Sequence, residues 1–106
     1  MPELTVVANA TAKPGREAEL ERALRAVVGP THEEPGCLHY SIHRGTEDRT
    51  AYLTIERWSS KDAVDRHMTA PHIQTLLKTV PDLLAEPPHI IVYEQLREGR
   101  PDKSRF

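Results

Sequence analysis

The sequence predicts an α+β fold of the ferredoxin-like type: a βαββαβ chain whose four-stranded antiparallel sheet carries its helices on one face, paired with a second copy as a dimeric α+β barrel. Three observations carry this reading. Four stretches are β-branched or alternate apolar with polar residues, two segments between them repeat at helical spacing, and the outer strands are apolar on both faces.

Leu4 to Ala10 (LTVVANA) is β-branched without a helical period, and Lys13-Pro14-Gly15 closes it, which predicts a strand and a turn. From Arg16 the period changes. Leu20, Ala23, Leu24, Val27 and Val28 form one stripe and charged residues the other, which is an amphipathic helix with acids at the positive end of its dipole. Gly29-Pro30 is expected to weaken or kink it, and Glu34-Pro35-Gly36 to end the connection.

Cys37 to Arg44 (CLHYSIHR) alternates, with Leu38, Tyr40 and Ile42 expected on one face and Cys37, His39, Ser41 and His43 on the other. A polar connection of hairpin length leads into Ala51 to Trp58 (AYLTIERW), where Tyr52, Thr54, Glu56 and Trp58 share a face. Ser59-x-x-Asp62 fits a capping box, so a short helix is predicted over 61–68. Thr69-Ala70-Pro71 reads as a restart, and Ile73, Leu76, Leu77 and Val80 mark a further helix that Pro81 ends. His89 to Leu96 (HIIVYEQL) is the fourth strand. Residues 1–96 therefore form one domain, and 97–106 a loose polar tail.

Helices can cover only one face of the sheet, yet the first strand offers Leu4, Val6 and Ala8 against Val7, and the last Ile90 and Val92 against Ile91 and Tyr93. A second copy of the sheet is the simplest cover, which predicts a homodimer.

Fourteen Lys and Arg against sixteen Asp and Glu give a net charge of −2 with no basic run, which argues against nucleic acid or an anionic membrane surface as partner. No apolar run approaches the ~20 residues of a membrane span, and the N-terminus lacks a signal-peptide pattern, so a cytoplasmic location is expected. The single cysteine, Cys37, reads as a small buried hydrophobe at a strand start.

The residue types that carry chemistry concentrate in ERWSSKDAVDRHMTAPH, residues 56–72. Glu56 and Trp58 point the same way at a strand end, and His67 shares a helical face with Ala63 and Val64. An unbroken helix would turn His72 about 140° away from His67, so only a break at Pro71 could bring both rings to one pocket. Each residue also has a structural explanation, Trp58 as core, His67 as a satisfied inward histidine and Glu56 as a partner for a nearby arginine. Together they suit a pocket for a small aromatic acid.

No metal site is expected. His39 and His43 lie roughly 13 Å apart along a strand, and His32-Glu33-Glu34-Pro35 lacks the second histidine of a zinc-protease helix. There is no phosphate loop and no serine-nucleophile motif.

Ala12-Lys13-Pro14-Gly15, Glu34-Pro35-Gly36-Cys37-Leu38-x-Tyr40, Glu56-Arg57-Trp58 and His67-x-x-x-Pro71-His72 resemble the antibiotic biosynthesis monooxygenase family of dimeric α+β barrels, over residues 4–95. The resemblance implies a ligand pocket between sheet and helices in each subunit. Family members include quinol monooxygenases that act on polycyclic or simple hydroquinones with O₂ and no cofactor, quorum-signal-processing enzymes and haem-degrading enzymes, so the resemblance implies a small or polycyclic phenol or quinol as substrate. The haem branch fits poorly, because His67 stands in place of its helix tryptophan and Leu77 in place of its iron-ligating histidine.

A phenol or quinol donates electrons poorly to O₂ until it is deprotonated, and histidine, with an unperturbed pKa of about 6.5, is a suitable base. The expected catalytic residues are thus His67 and His72, one as base and the other holding the substrate. Trp58 is expected as the aromatic wall, Glu56 as an orienting carboxylate, and Tyr52 and Asn9 as further substrate contacts; His39 and His43 are assigned to the dimer face. An isomerase or degradation enzyme acting on a small hydroxy-ketone signal, and a non-catalytic ligand-binding barrel, are the alternatives.

Overall fold

In the computed structural model, which describes residues 2–105, β1 (Leu4–Thr11) lies inside the sheet and is paired along both edges. β3 (Ala51–Trp58) runs antiparallel on one side of it and β4 (His89–Tyr93) on the other, while β2 (Cys37–Arg44) pairs outside β3. The resulting order β2-β3-β1-β4 is the ferredoxin-like sheet predicted from the sequence.

The register fixes which residues meet the helices. Leu4, Val6, Ala8 and Ala10 lie opposite Trp58, Glu56, Thr54 and Tyr52, so one parity of β1 and of β3 forms a single face. Along β3 that parity is buried at every position: Tyr52, Thr54, Glu56 and Trp58.

α1 (Glu17–His32) lays Leu20, Leu24, Val27 and Thr31 on this face, at spacings of four, three and four. Burial of each such aliphatic side chain stabilises the fold by about 1.5–3 kcal/mol. The helix runs on through Gly29-Pro30, where weakening was expected, to His32. Pro30 sits in the last turn, where its missing N–H forfeits one bond, and Glu33 N and Glu34 N then close the end on the carbonyls of Pro30 and Thr31.

β2 departs from simple alternation. Cys37 lies opposite Trp58 but His39 lies opposite Arg57, so a bulge at Leu38 puts Cys37 on the helix face with Tyr40 and leaves Leu38 exposed. The expected parity of Leu38 and Cys37 is therefore reversed, while that of Tyr40 holds.

α2 (Lys61–Thr69) starts where predicted, with its cap one residue later than expected. Ser60, not Ser59, accepts from the backbone N–H of Ala63 at 3.2 Å. Ala70 then adopts φ −62°, ψ 144°, closing α2 and opening α3 (Pro71–Thr79), with Pro71 in the first turn. A 3₁₀ turn (Val80–Asp82) follows, and Leu83 and Leu84 pack beneath it in the core with Leu20 and Tyr52.

β4 ends at Tyr93, three residues before the predicted limit. The tail is more ordered than expected: a single helical turn, α4 (Pro101–Ser104), precedes Arg105, whose guanidinium pairs with Glu3 at 3.1 Å.

The opposite parity of the sheet carries Val7, Ile55, Ser41 and Ile91, on the side away from α1, α2 and α3. On β4 both parities are open, with Ile91 and Tyr93 47% and 45% exposed and Ile90 and Val92 40% and 50%. Among the described residues no helix is long and apolar enough to cross a membrane.

Candidate active site

The end of β3 supplies a buried carboxylate together with its own donors. Residues two apart on a strand share a face, so Thr54 and Trp58 flank Glu56. Thr54 Oγ1 donates to Glu56 Oε2 at 2.6 Å and Trp58 Nε1 donates to Oε1 at 2.9 Å. These bonds offset the cost of burying the acid, which is only 4% exposed.

His67 comes to this carboxylate from α2, on the buried face that also bears Ala63 and Val64. Its ring lies over Trp58, with centroids 4.5 Å apart, and 5.6 Å from the ring of Tyr40. Nε2 stands 3.8 Å from Glu56 Oε1, and Nδ1 stands 2.8 Å from Glu34 Oε2.

His72 reaches the same Glu34 oxygen through its Nε2, also at 2.8 Å. The helix break at Ala70 thus does what the sequence required of it, since the two rings converge, with centroids 6.3 Å apart. They converge on Glu34 and not on a common cavity. Side-chain exposure rises from 5% at His67 through 14% at Glu34 to 20% at His72, so the three groups run from the interior outward.

Glu34 was read in the sequence as part of a turn. The available signal was the glycine two residues on. Gly36 lies against α2 so closely that a Cβ there would overlap the Cβ of Ala63, and its carbonyl accepts from Ser59 N at 2.9 Å. That contact holds the α1–β2 connection, and with it Glu34, beside the helix that carries His67.

A cavity of about 150 Å³ opens between the sheet and α2–α3, almost wholly apolar, with Val6, Tyr40, Glu56, His67, Ile73 and Leu76 among its lining. Glu56 and His67 are its two ionisable polar groups apart from tyrosine hydroxyls. Trp58, expected as the aromatic wall, is fully buried and stands behind His67 outside the lining, and His72 is likewise outside it. Tyr52 borders the far end, roughly 13 Å along the strand from Glu56, with its hydroxyl committed to Glu21 Oε1 at 3.2 Å. Asn9 also borders the cavity, but it pairs with Leu53 and His89, and that parity places its side chain on the face away from the helices.

The hydrogen bonds assign a tautomer. With Glu34 as a carboxylate accepting N–H from both rings, the neutral tautomer of His67 that satisfies it carries its proton on Nδ1 and leaves Nε2 on the side of Glu56, 3.8 Å from Oε1. Burial, with Glu56 and Glu34 nearby, pushes the Tyr40 phenol far up, so Tyr40 is a neutral hydroxyl at physiological pH. Burial pushes the Cys37 thiol up as well, with Glu34 and Glu56 adding to it, which keeps it a thiol and fits its packing role. Glu34, His67 and His72 each present one possible metal ligand, and these atoms lie within 4.8 Å of one another.

Known proteins share this framework. The solved structure of PA3566 from Pseudomonas aeruginosa superposes with a TM-score of 0.86 at 34% identity, covering 92% of this chain and 97% of that one. Rv0793 of Mycobacterium tuberculosis, which carries a provisional monooxygenase name, is 30% identical over 91% of this chain and 94% of its own length. Its solved structure also gives a TM-score of 0.86. The protein sll1783 of Synechocystis is 30% identical over 91 residues, and the chain spans 62% of its length. Residues 3–79, which contain Glu34, Glu56, His67 and His72, match the family model described as antibiotic biosynthesis monooxygenase. With a match over most of its length and a fold shared with these relatives, the chain belongs to the antibiotic biosynthesis monooxygenase family.

Proposed function

We propose that the protein is a cofactor-independent monooxygenase that oxidises a small phenol or quinol with O₂, His67 acting as the base. The observation that carries this reading is the held ring of His67: Nδ1 is engaged by Glu34, Nε2 stands 3.8 Å from Glu56 Oε1, and both His67 and Glu56 line an apolar cavity.

In such a cavity a phenolate is poorly solvated, so proton removal has to coincide with the oxidation that discharges the anion. A hydroquinone supplies both electrons itself. O₂ converts it to the hydroxyquinone with release of one water, which balances without an outside reductant. Tyr40, held neutral, is a hydrogen-bond donor for the developing oxyanion. His72 assists by holding Glu34 from the solvent side.

The cavity favours a single-ring substrate over a polycyclic one, because a space of about 150 Å³ holds one benzene-sized ring. Its lining also includes Ile90 and Val92 of the open β4 edge and Pro88 just before it. A homodimer that covers β4 would therefore close the cavity as well as the apolar sheet face. We place this dimer in the cytoplasm, with neither nucleic acid nor membrane as partner.

Oxygen uptake with a panel of monocyclic and fused-ring hydroquinones tests the reading. Stoichiometric O₂ consumption with a hydroxylated product is expected. Turnover of a hydroxy-ketone without O₂ would replace it with an isomerase, and saturable binding without turnover would replace it with a ligand-binding barrel.

A further inference from the structure

We propose that Glu34, His67 and His72 form a binding site for a divalent transition-metal ion, with Glu56 as the outer-sphere partner of His67. The three ligands come from three separate elements, the α1–β2 connection, α2 and α3, and each offers one atom within 4.8 Å of the others. Two imidazoles and a carboxylate are donors that suit zinc, iron or nickel and leave coordination positions open for water or substrate.

The surroundings of His67 strengthen the assignment. A histidine that binds a metal through one nitrogen commonly donates its other N–H to a carboxylate. With Nδ1 on the ion, the proton of His67 moves to Nε2, which stands 3.8 Å from Glu56 Oε1. Glu56 is already fixed by Trp58 and Thr54, so a small ring movement completes the pair.

The ion fits once the two rings close on it, since the ligand atoms now lie within 4.8 Å of one another and the ring nitrogens must approach to the donor spacing of a metal site. Bonds of about 2.0–2.1 Å in tetrahedral geometry hold neighbouring donor atoms roughly 3.3 Å apart. The two 2.8 Å contacts to Glu34 Oε2 need to open by about half an ångström. Entry is from the His72 side, which is the most exposed of the three.

Metal binding would also change what His67 can do. Once Nδ1 is coordinated and Nε2 carries the proton, His67 keeps no free lone pair. The ion would therefore silence the base; this consequence rests on the catalytic reading above, whereas the site itself does not.

Equilibrium dialysis of the full chain against Zn²⁺ at neutral pH, with no substrate present, tests the site directly. One ion per chain with micromolar or tighter affinity is expected, weakened roughly 10–100-fold by Glu56→Gln and at least as much by His72→Gln or Glu34→Gln. The double variant His39→Gln/His43→Gln, on the opposite sheet face, should bind as the parent does. Nitrogen-15 NMR of the unsubstituted protein reads the same point without relying on variants, since Zn²⁺ must shift His67 Nδ1 and His72 Nε2. Absence of binding, binding that survives Glu34→Gln and His72→Gln, or unshifted His67 and His72 resonances would overturn the site while leaving the proposed base role to the oxygen-uptake assay.

Discussion

Glu34 and His67 meet at 2.8 Å across 33 residues of sequence, and this contact engages Nδ1 and leaves Nε2 on the side of Glu56. Under the proposed role, the reactivity of Nε2 would thus be set by a loop on the far side of the ring.

His67→Ala should lower kcat by roughly 10²–10⁴-fold with a smaller change in KM, the expected cost of losing a general base. His72→Ala should cost less, because His72 lies outside the cavity and acts through Glu34. Steady-state oxygen uptake by the two variants separates the roles, and equal losses would contradict the order inferred from geometry.

Glu56→Leu should destabilise the fold, since Trp58 Nε1 and Thr54 Oγ1 would be left as buried donors, each costing about 1–3 kcal/mol. Urea unfolding measures this. Trp58 is the chain's single tryptophan, so its fluorescence reports the lost bond before unfolding begins.

Gly36→Ala should cost about 1–3 kcal/mol, because the new Cβ collides with Ala63. Ala63→Gly opens that space. Recovery of stability in the double variant, beyond the sum of the single effects, is the expected result of a mutant cycle.

His39 titrates below its ordinary value of about 6.5, through burial first and then the charges of Arg57, His43 and His32. The folded state thus disfavours the protonated ring. Stability from this group is complete above the unfolded-state value and is lost as pH falls through the lower folded-state value. A His39→Gln variant should lose less stability than the parent between neutral and mildly acid pH, as read by urea midpoints across that range.

Ile91→Asp places a charge on the uncovered sheet face, where Ile91 is 47% exposed in the single chain. In sedimentation equilibrium the parent should be a dimer and the variant a monomer. A parent that sediments as a monomer at micromolar concentration would remove the proposed dimer.

The fold was legible because it rests on periodicity: β3 alternates without fault, and the helical stripe of α1 is continuous. Local exceptions were not. The bulge at Leu38 leaves a regular apolar–polar text and reverses only two side chains, and Pro30 reads as a weak point although the last helical turn tolerates it. At the site, His67 and Glu56 could be placed by parity and helical face. Trp58 was misassigned to the cavity because parity gives a face, not depth along it. Glu34 was beyond the reach of periodicity, since a loop residue has none and its long-range partners follow from how Gly36 seats the loop.

Ala70 carries a consequence for the spacing of the two histidines. A helical ψ near −42° at this residue would join α2 to α3 and send the rings apart, whereas its ψ of 144° folds them onto one oxygen. The distance between His67 and His72 is thus a property of the main chain. Side-chain rotation cannot compensate for a residue gained or lost between them, so relatives that alter this five-residue interval have to build a different polar centre within the same fold.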